Sequence, residues 1–170
     1  TGASFGFGVV ARGGTASLRA ALKLPALFCD NMVRQQKLEN PIWGWDTPGT
    51  EVKVKFGTQN KTTKAGADGK WTLKLDPVPA SATPAAISIQ GTSEKVLKNV
   101  LVGEVWICSG QSNMQWSVQS CWDADLEIAT AKYPEIRLIS VPQVGTQEPQ
   151  QDFRGEWKEC SPQSVGSFSA

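Results

Sequence analysis

The residues with the clearest chemical potential lie around Ser112, in the run Ser109-Gly110-Gln111-Ser112-Asn113-Met114. The apolar run Val105-Trp106-Ile107-Cys108 comes directly before it and predicts a strand buried on both faces of a parallel sheet. A serine at a sharp strand-to-helix turn has an exposed hydroxyl, and nearby backbone N–H groups can stabilise an oxyanion. Gly110 would permit that turn. We therefore predict Ser112 as a nucleophile, with an ordinary turn and a capping serine as the alternative.

Histidine, the side chain that most often activates such a serine, is absent from all 170 residues. It is the usual general base because its pKa lies near neutral pH. Asp123 and Asp125 follow the serine closely, and we interpret them as helix-start residues favoured by the helix dipole. Loss of the triad histidine costs about a million-fold in turnover in a well-studied serine protease. The chain alone is therefore predicted to be nearly inert.

Composition excludes several classes of protein. The 17 basic and 16 acidic side chains give a net charge of +1, and no cluster of Lys and Arg predicts nucleic-acid or membrane-surface binding. No apolar run approaches the roughly 18 residues of a membrane span. Because ester hydrolysis through serine needs neither metal nor organic cofactor, we predict none.

The four cysteines are widely spaced and have no histidine beside them, so they predict no zinc site. Cys108 lies in the apolar run, and we expect it to be a buried free thiol. Cys121 and Cys160 are a candidate disulfide pair if the protein is secreted.

Residues 1–102 are predicted to form a β-rich domain after a loosely ordered stretch that ends near residue 19. Residues 51–56 and 70–75 alternate apolar and polar side chains, the pattern of half-buried strands. Residues 61–65 are predicted to pair back onto the first of these, and Asp68-Gly69 is a hairpin signal. Further strands are predicted at Ile87 with Ile89 and at residues 96–102. Short alternating strands between Pro and Gly residues favour a β-sandwich. For Trp43 and Trp45, core packing is favoured over sugar stacking.

Residues 103–170 are predicted to begin a second, α/β domain. Residues 123–132 have the pattern of a helix, and residues 136–141 that of a second strand. Strand, helix and strand make one βαβ unit. Because two strands cannot close a sheet or cover its faces, we interpret the sequence as a fragment.

Residues 102–114, with GQSNM as the most specific part, closely resemble the nucleophile block of the sialate O-acetylesterase family, within the SGNH hydrolase superfamily. Residues 24–33 and Trp43-Gly44-Trp45 resemble the start of that family's N-terminal β domain, and residues 166–170 resemble the run that leads into its next helix. The resemblance implies a flavodoxin-like α/β domain after the β domain. It also implies an esterase that removes acetyl groups from sugar hydroxyls, typically on sialic acids, in a secreted, periplasmic or lysosomal location.

Residue by residue, the resemblance implies that Ser112 is the catalytic serine and that its backbone N–H is the first oxyanion donor. Gly166 is the candidate for the superfamily's oxyanion glycine, with Gly145 as a competitor. Gln111 and Asn113 are expected to hold the turn by hydrogen bonds. The family's Asp and His lie beyond Ala170, so a longer native chain or a second polypeptide would have to supply them.

A binding module is the alternative function. In that interpretation the β domain binds glycans through its tryptophans and the esterase segment is vestigial. Glycan affinity that survives Ser112→Ala, in a polypeptide ending near residue 102, would favour it. Catalysis is preferred because the GQSNM block is specific for a nucleophile, whereas exposed tryptophan is common.

Overall fold

The computed structural model describes residues 21–169, which are mostly β-sheet with few helices. The predicted loose stretch before residue 20 lies outside the described residues. The strands are β1 (Val33–Gln35), β2 (Asn40–Trp45), β3 (Glu51–Phe56), β4 (Gln59–Lys64), β5 (Lys70–Leu75), β6 (Ser81–Gln90), β7 (Glu94–Gly103), β8 (Tyr133–Leu138) and β9 (Lys158–Cys160). The helices are α1 (Ala124–Thr130) and two short 3₁₀ helices, Ser112–Gln115 and Val118–Ser120. Of the helices in this described part, none is long and apolar enough to cross a membrane.

A five-stranded sheet in the order β1-β7-β6-β3-β4 forms the largest element. Its neighbours are antiparallel except β1 and β7, which run parallel. In β3 the alternation predicted from sequence is confirmed, since Val52 and Val54 are fully buried while the intervening lysines are exposed. The predicted return of β4 onto β3 and the strands around Ile87 and residues 96–102 are also confirmed.

A two-stranded sheet, β2 paired antiparallel with β5, packs its apolar face into the same core. The predicted inward face of β5 is confirmed, with Trp71 and Leu75 buried and Leu73 packed against them. The hairpin predicted at Asp68-Gly69 is wrong. Gly69 does adopt the positive φ of a turn, at 79°, but β4 pairs with β3 and β5 pairs with β2. The turn therefore carries the chain from one sheet to the other.

Trp43 and Trp45 flank a glycine that allows close packing. A side chain on Gly44 would overlap the Lys23 carbonyl and the Trp71 ring. Trp43 packs against the core and meets Phe28 edge-on, with ring centroids 4.6 Å apart. Trp45 is half-buried, and its ring lies under the Lys23 ammonium. These contacts agree with the core-packing interpretation.

A buried carboxylate, Asp46, fastens the β2 end to the β6–β7 turn. Its oxygens accept hydrogen bonds from the Thr92 backbone N–H at 2.9 Å and from the Thr92 hydroxyl at 2.6 Å. Its side chain is almost fully buried, so these bonds replace the lost hydration. A Cβ on Gly91 would overlap the Asp46 carboxylate.

Gly91→Ala is expected to lower the free energy of unfolding by about 2 kcal/mol, because the carboxylate would have to leave its Thr92 donors. Urea denaturation of the 170-residue chain measures this change in the free energy of unfolding. Gly145→Ala is the matched control, since nothing lies within 4 Å of its added methyl group. An equal loss in both variants would contradict the steric argument.

A second, smaller cluster gathers around β8 and β9, which pair antiparallel. Its buried side chains are those of Ala131, Leu138, Cys160 and Val165. The predicted helix at residues 123–132 is confirmed as α1. The predicted strand at residues 136–141 begins earlier, at Tyr133, and its hydrogen-bonded partner is β9. The expected parallel βαβ pairing is therefore absent from the described residues.

The predicted strand at residues 105–108 is wrong for the described chain. These residues form no strand, and the Trp106 and Ile107 side chains are 83% and 92% exposed. A strand buried on both faces needs neighbours on its edges and cover on its faces, and the described residues supply neither. Cys108 is correspondingly exposed, contrary to expectation. All four cysteines are free, so the candidate Cys121–Cys160 disulfide is not formed.

A polar cluster built on Arg137 joins β8 to the five-stranded sheet. The Arg137 guanidinium donates to the Asn99 side-chain oxygen at 3.2 Å and to the Asn31 carbonyl at 3.2 Å, and lies 3.5 Å from the Glu159 carboxylate. The Asn99 amide in turn donates to both Asn31 and Glu159 at 2.7 Å. Burial lowers the pKa of Arg137, and Glu159 opposes that effect. We call these four residues the Arg137 cluster.

Asp152, which precedes β9, makes a second link, to residues that precede β1. Its carboxylate accepts a hydrogen bond from the Ala26 backbone N–H at 2.7 Å and lies 3.2 Å from the Lys23 ammonium. Burial would raise the pKa of Asp152, but the hydrogen bonds and the lysine outweigh it and hold the pKa below its usual value.

The Asp152 link is expected to depend on pH. Because the folded-state pKa is depressed, its stabilisation is present above the unfolded value of about 3.9 and is lost as pH falls through the folded value. Asp152→Asn should lower the free energy of unfolding by about 1 kcal/mol near neutral pH, and by less near pH 3. Urea denaturation at both pH values measures this, with Glu148→Gln as a control. A loss in the free energy of unfolding that is the same at both pH values would contradict the role assigned to the Asp152 carboxylate.

Candidate active site

Ser112 is the first residue of the 3₁₀ helix Ser112–Gln115, and no residue of that helix is buried. Within the described part of the chain, no residue makes a hydrogen bond to the Ser112 hydroxyl. The site therefore presents an exposed serine on a short helical turn. This placement leaves the hydroxyl exposed to solvent.

The turn around Ser112 is held by the backbone. The Met114 N–H donates to the Gln111 carbonyl at 2.8 Å, and the Trp116 N–H donates to the Asn113 carbonyl at 3.2 Å. Gln111 and Asn113 thus contribute main-chain acceptors to the turn, and Gln111 makes no side-chain cap. Gly110 does not have a positive φ. Its lack of a side chain matters because a Cβ there would crowd Met114.

A glutamine pair anchors the entry to this segment. Glu104 accepts hydrogen bonds from Gln35 at 2.8 Å and from Gln36 at 2.5 Å. The hydrogen bond from Gln35, and to a smaller extent the one from Gln36, lowers the pKa of Glu104. The Gln35 side-chain oxygen also accepts from the Val105 N–H at 2.7 Å. The chain leading to Ser112 is therefore tied to β1, a contact that local sequence cannot predict because it spans about 70 residues.

Residues 166–169 fold back against the segment around Ser112. The Ser169 hydroxyl donates to the Met114 carbonyl at 2.7 Å. The Gln119 N–H donates to the Gly166 carbonyl, and the Val118 N–H donates to the Phe168 carbonyl. Gly166 thus contacts the second 3₁₀ helix, Val118–Ser120, through its carbonyl. Gly145 lies in an exposed stretch with nothing within 4 Å of its Cβ position. The oxyanion role assigned to Gly166 stays a prediction.

The first carboxylates that follow Ser112 in the sequence belong to the start of α1. Asp123 precedes the helix with a φ of 55°, and its carbonyl accepts from the Leu126 and Glu127 N–H groups at 3.0 Å. Asp125 lies in the first turn. This agrees with the interpretation of both as helix-start residues. The site as described therefore has an exposed serine on a turn held by main-chain hydrogen bonds, and the sequence contains no histidine.

No protein-family model matches the chain. Among curated proteins, it is 31% identical to human sialate O-acetylesterase over 153 residues, which are 81% of this chain and 29% of the relative. It is 34% identical to the mouse sialate O-acetylesterase over 141 residues, which are 75% of this chain and 26% of the relative. The chain belongs to the sialate O-acetylesterase family. It spans less than a third of the length of these sialate O-acetylesterases.

A solved structure supports the same relationship. A carbohydrate acetylesterase from Xanthomonas citri matches with a TM-score of 0.84 and 34% sequence identity, over 88% of this chain and 35% of that chain. A similarity this close extends over most of the described fold. The family relationship of this sialate O-acetylesterase homologue therefore rests on sequence and on structure together.

Proposed function

We propose that this chain is part of a carbohydrate O-acetylesterase that uses Ser112 as its nucleophile. The observation that carries the proposal is the exposed Ser112 on its turn, in a chain whose sequence and structural relatives are acetylesterases. Acetylated sugars, among them O-acetylated sialic acids, are the proposed substrates. We also propose an extracytoplasmic location, which the family resemblance implies.

In the proposed reaction, Ser112 Oγ attacks the carbonyl carbon of the acetyl group and gives up its proton to a base. The bond from that carbon to the sugar oxygen then breaks, and the sugar oxygen takes the proton back from the base and leaves as a free hydroxyl. Water attacks the acetyl-enzyme, releases acetate and restores the serine. The Ser112 backbone N–H is the proposed first hydrogen-bond donor to the oxyanion that forms on the acetyl carbonyl oxygen. Donors placed where this negative charge develops stabilise the transition state.

We propose that the base comes from outside these 170 residues, because they contain no histidine, the usual base for such a serine. We propose an SGNH-type α/β domain, with a β-sandwich before it, as the complete architecture. The histidine and its carboxylate partner would come from the part of the esterase that this chain does not match. A longer chain and a second polypeptide are both compatible with this scheme.

The proposal is tested in a chimera in which this chain replaces the matching region of the Xanthomonas citri acetylesterase. Acetate release is measured from a simple acetyl ester and from an O-acetylated sialoside. Hydrolysis of both by the folded chimera is expected. A chimera with the circular dichroism of the parent and no hydrolysis of either ester would contradict the proposed function.

A further inference from the structure

Arg34, in β1, is a buried cation whose hydrogen-bond donors are only partly used. The residue is 2% exposed. Its Nη2 donates to the Asp76 carbonyl, and its guanidinium lies over the Phe56 ring, 4.9 Å from the ring centroid. None of the described residues accepts a hydrogen bond from Arg34 Nε or Nη1. Buried polar groups in folded proteins almost always have a partner, so these N–H groups are available to an acceptor.

The positive charge of Arg34 is poorly neutralised by the chain itself. Burial lowers the pKa of Arg34, and the negative charge of Asp76 opposes that effect. The Asp76 side chain is 53% exposed, however, and its carboxylate is paired with the Lys61 ammonium at 2.7 Å. Residues 1–20 contain no Asp or Glu, so their side chains bring no negative charge to Arg34. Because a buried cation without a close anion is unfavourable, the binding of an anion there is favoured.

A cavity of about 310 Å³ lies beside Arg34 and is lined by residues of β1, β2, β5 and β6. The two amide side chains in its walls, Gln35 and Asn40, already bond to neighbouring residues. Arg34 is therefore the polar side chain of the walls with unused donors. The other walls are mainly apolar and include the rings of Phe28, Trp43 and Trp157. Apolar walls with a few fixed polar groups are typical of small-molecule sites, and the volume lies at the lower end of their range.

We infer that this cavity binds a monocarboxylate with an apolar tail, such as a medium-chain fatty acid. Arg34 holds the carboxylate through a charge-assisted hydrogen bond, which is stronger than a bond between neutral groups. The apolar tail lies against the aromatic walls. A sugar is disfavoured in this cavity, because apolar walls would leave its hydroxyls without partners. None of the described residues that line the cavity belongs to the Ser112 turn, so the inference does not depend on the proposed function.

The test measures the binding of sodium octanoate to the 170-residue chain by isothermal titration calorimetry, with 1-octanol as a neutral probe of the same tail length. Octanoate is expected to bind with a dissociation constant below about 1 mM, and octanol at least about tenfold more weakly. Arg34→Met should weaken octanoate binding at least about tenfold, and Arg34→Lys should weaken it less because lysine keeps the charge. Arg154→Met, at an exposed arginine, is the matched control and should bind octanoate like the wild type.

An NMR measurement locates the carboxylate in the wild-type chain, whether or not Arg34→Met folds. Octanoate should shift the Nε–H resonance of Arg34, assigned by its absence from Arg34→Lys, and should leave that of Arg154 in place. No octanoate binding by the wild type would overturn the inference. Equal binding of octanol, or equal octanoate binding by a folded Arg34→Met, would also overturn it, because an apolar cavity alone gives those results. A shift at Arg154 without one at Arg34 would place octanoate on the surface and overturn it as well.

Discussion

Ser112→Ala in the chimera is expected to reduce kcat for acetyl-ester hydrolysis by about five to six orders of magnitude. Removal of the nucleophile from a serine hydrolase has an effect of this size, because no other group can form the acyl-enzyme. The KM should change far less, since the Ser112 side chain is small and exposed and has no hydrogen-bond partner in the described part of the chain. Steady-state kinetics with a chromogenic acetyl ester measure both constants.

Ser109→Ala is the matched control, because Ser109 is the same residue type, is equally exposed and lies three positions earlier. It should retain activity within a few-fold. An equal loss in both variants would indicate damage to the turn. Full activity in Ser112→Ala would contradict the nucleophile assignment and move attention to Ser117 or Ser120, which lie further along the same segment.

The sheet strands were predictable because their determinants are local. In β3 and β5 the alternation of apolar and polar side chains sets both the element and its buried face. Pairing partners were not predictable in the same way. The turn at Asp68-Gly69 has hairpin chemistry, yet β5 pairs with β2 because both sheets bury apolar faces in one core. Turn residues fix a local direction, whereas packing across the molecule fixes the partner.

The approach to Ser112 shows the opposite case. Residues 105–108 have the composition of a buried strand, but a strand exists only through hydrogen bonds to a neighbour. In the described chain that neighbour is missing, so the local prediction fails. The sequence motif predicts the site at Ser112, which stays a prediction, and the contacts that anchor this segment were not predicted. Gln35 reaches Val105 and Ser169 reaches Met114 from distant positions, and neither residue carries a local signal.

The Arg137 cluster was also invisible in the sequence, since Arg137 bonds to residues 38 and 106 positions away. In the structure its side chain is only 3% exposed. Asn31 and Asn99 both have positive φ values, of 65° and 56°, a conformation that asparagine tolerates better than most residues. Two strained backbone positions and one buried cation thus converge where β8 meets the five-stranded sheet.

Arg137→Met is therefore expected to lower the free energy of unfolding by about 2–3 kcal/mol. Methionine fills a similar volume but leaves the Asn31 and Asn99 oxygens without their donor, and buried unsatisfied groups are costly. Glu159 is 44% exposed and can recover hydration, which keeps the loss below that of a fully buried ion pair. Urea denaturation followed by tryptophan fluorescence measures the change. Arg154→Met, at an exposed arginine, should change it by less than about 0.5 kcal/mol.

Hydrogen exchange tests whether the Arg137 cluster links β8 and β9 to the five-stranded sheet or makes only a local contact. If the Arg137 cluster couples β8 and β9 to the five-stranded sheet, Arg137→Met should lower amide protection in Leu138 and Cys160 more than in Val54 and Ile89. The second pair lies in the main core, which does not depend on the cluster. Equal loss of protection at both sites would mean that the chain unfolds as one unit and that the cluster is not a separate link. Residues 166–169 contact both the hydrophobic cluster around β8 and β9 and the Met114 carbonyl. Loosening that hydrophobic cluster would therefore also loosen the support of the Ser112 turn.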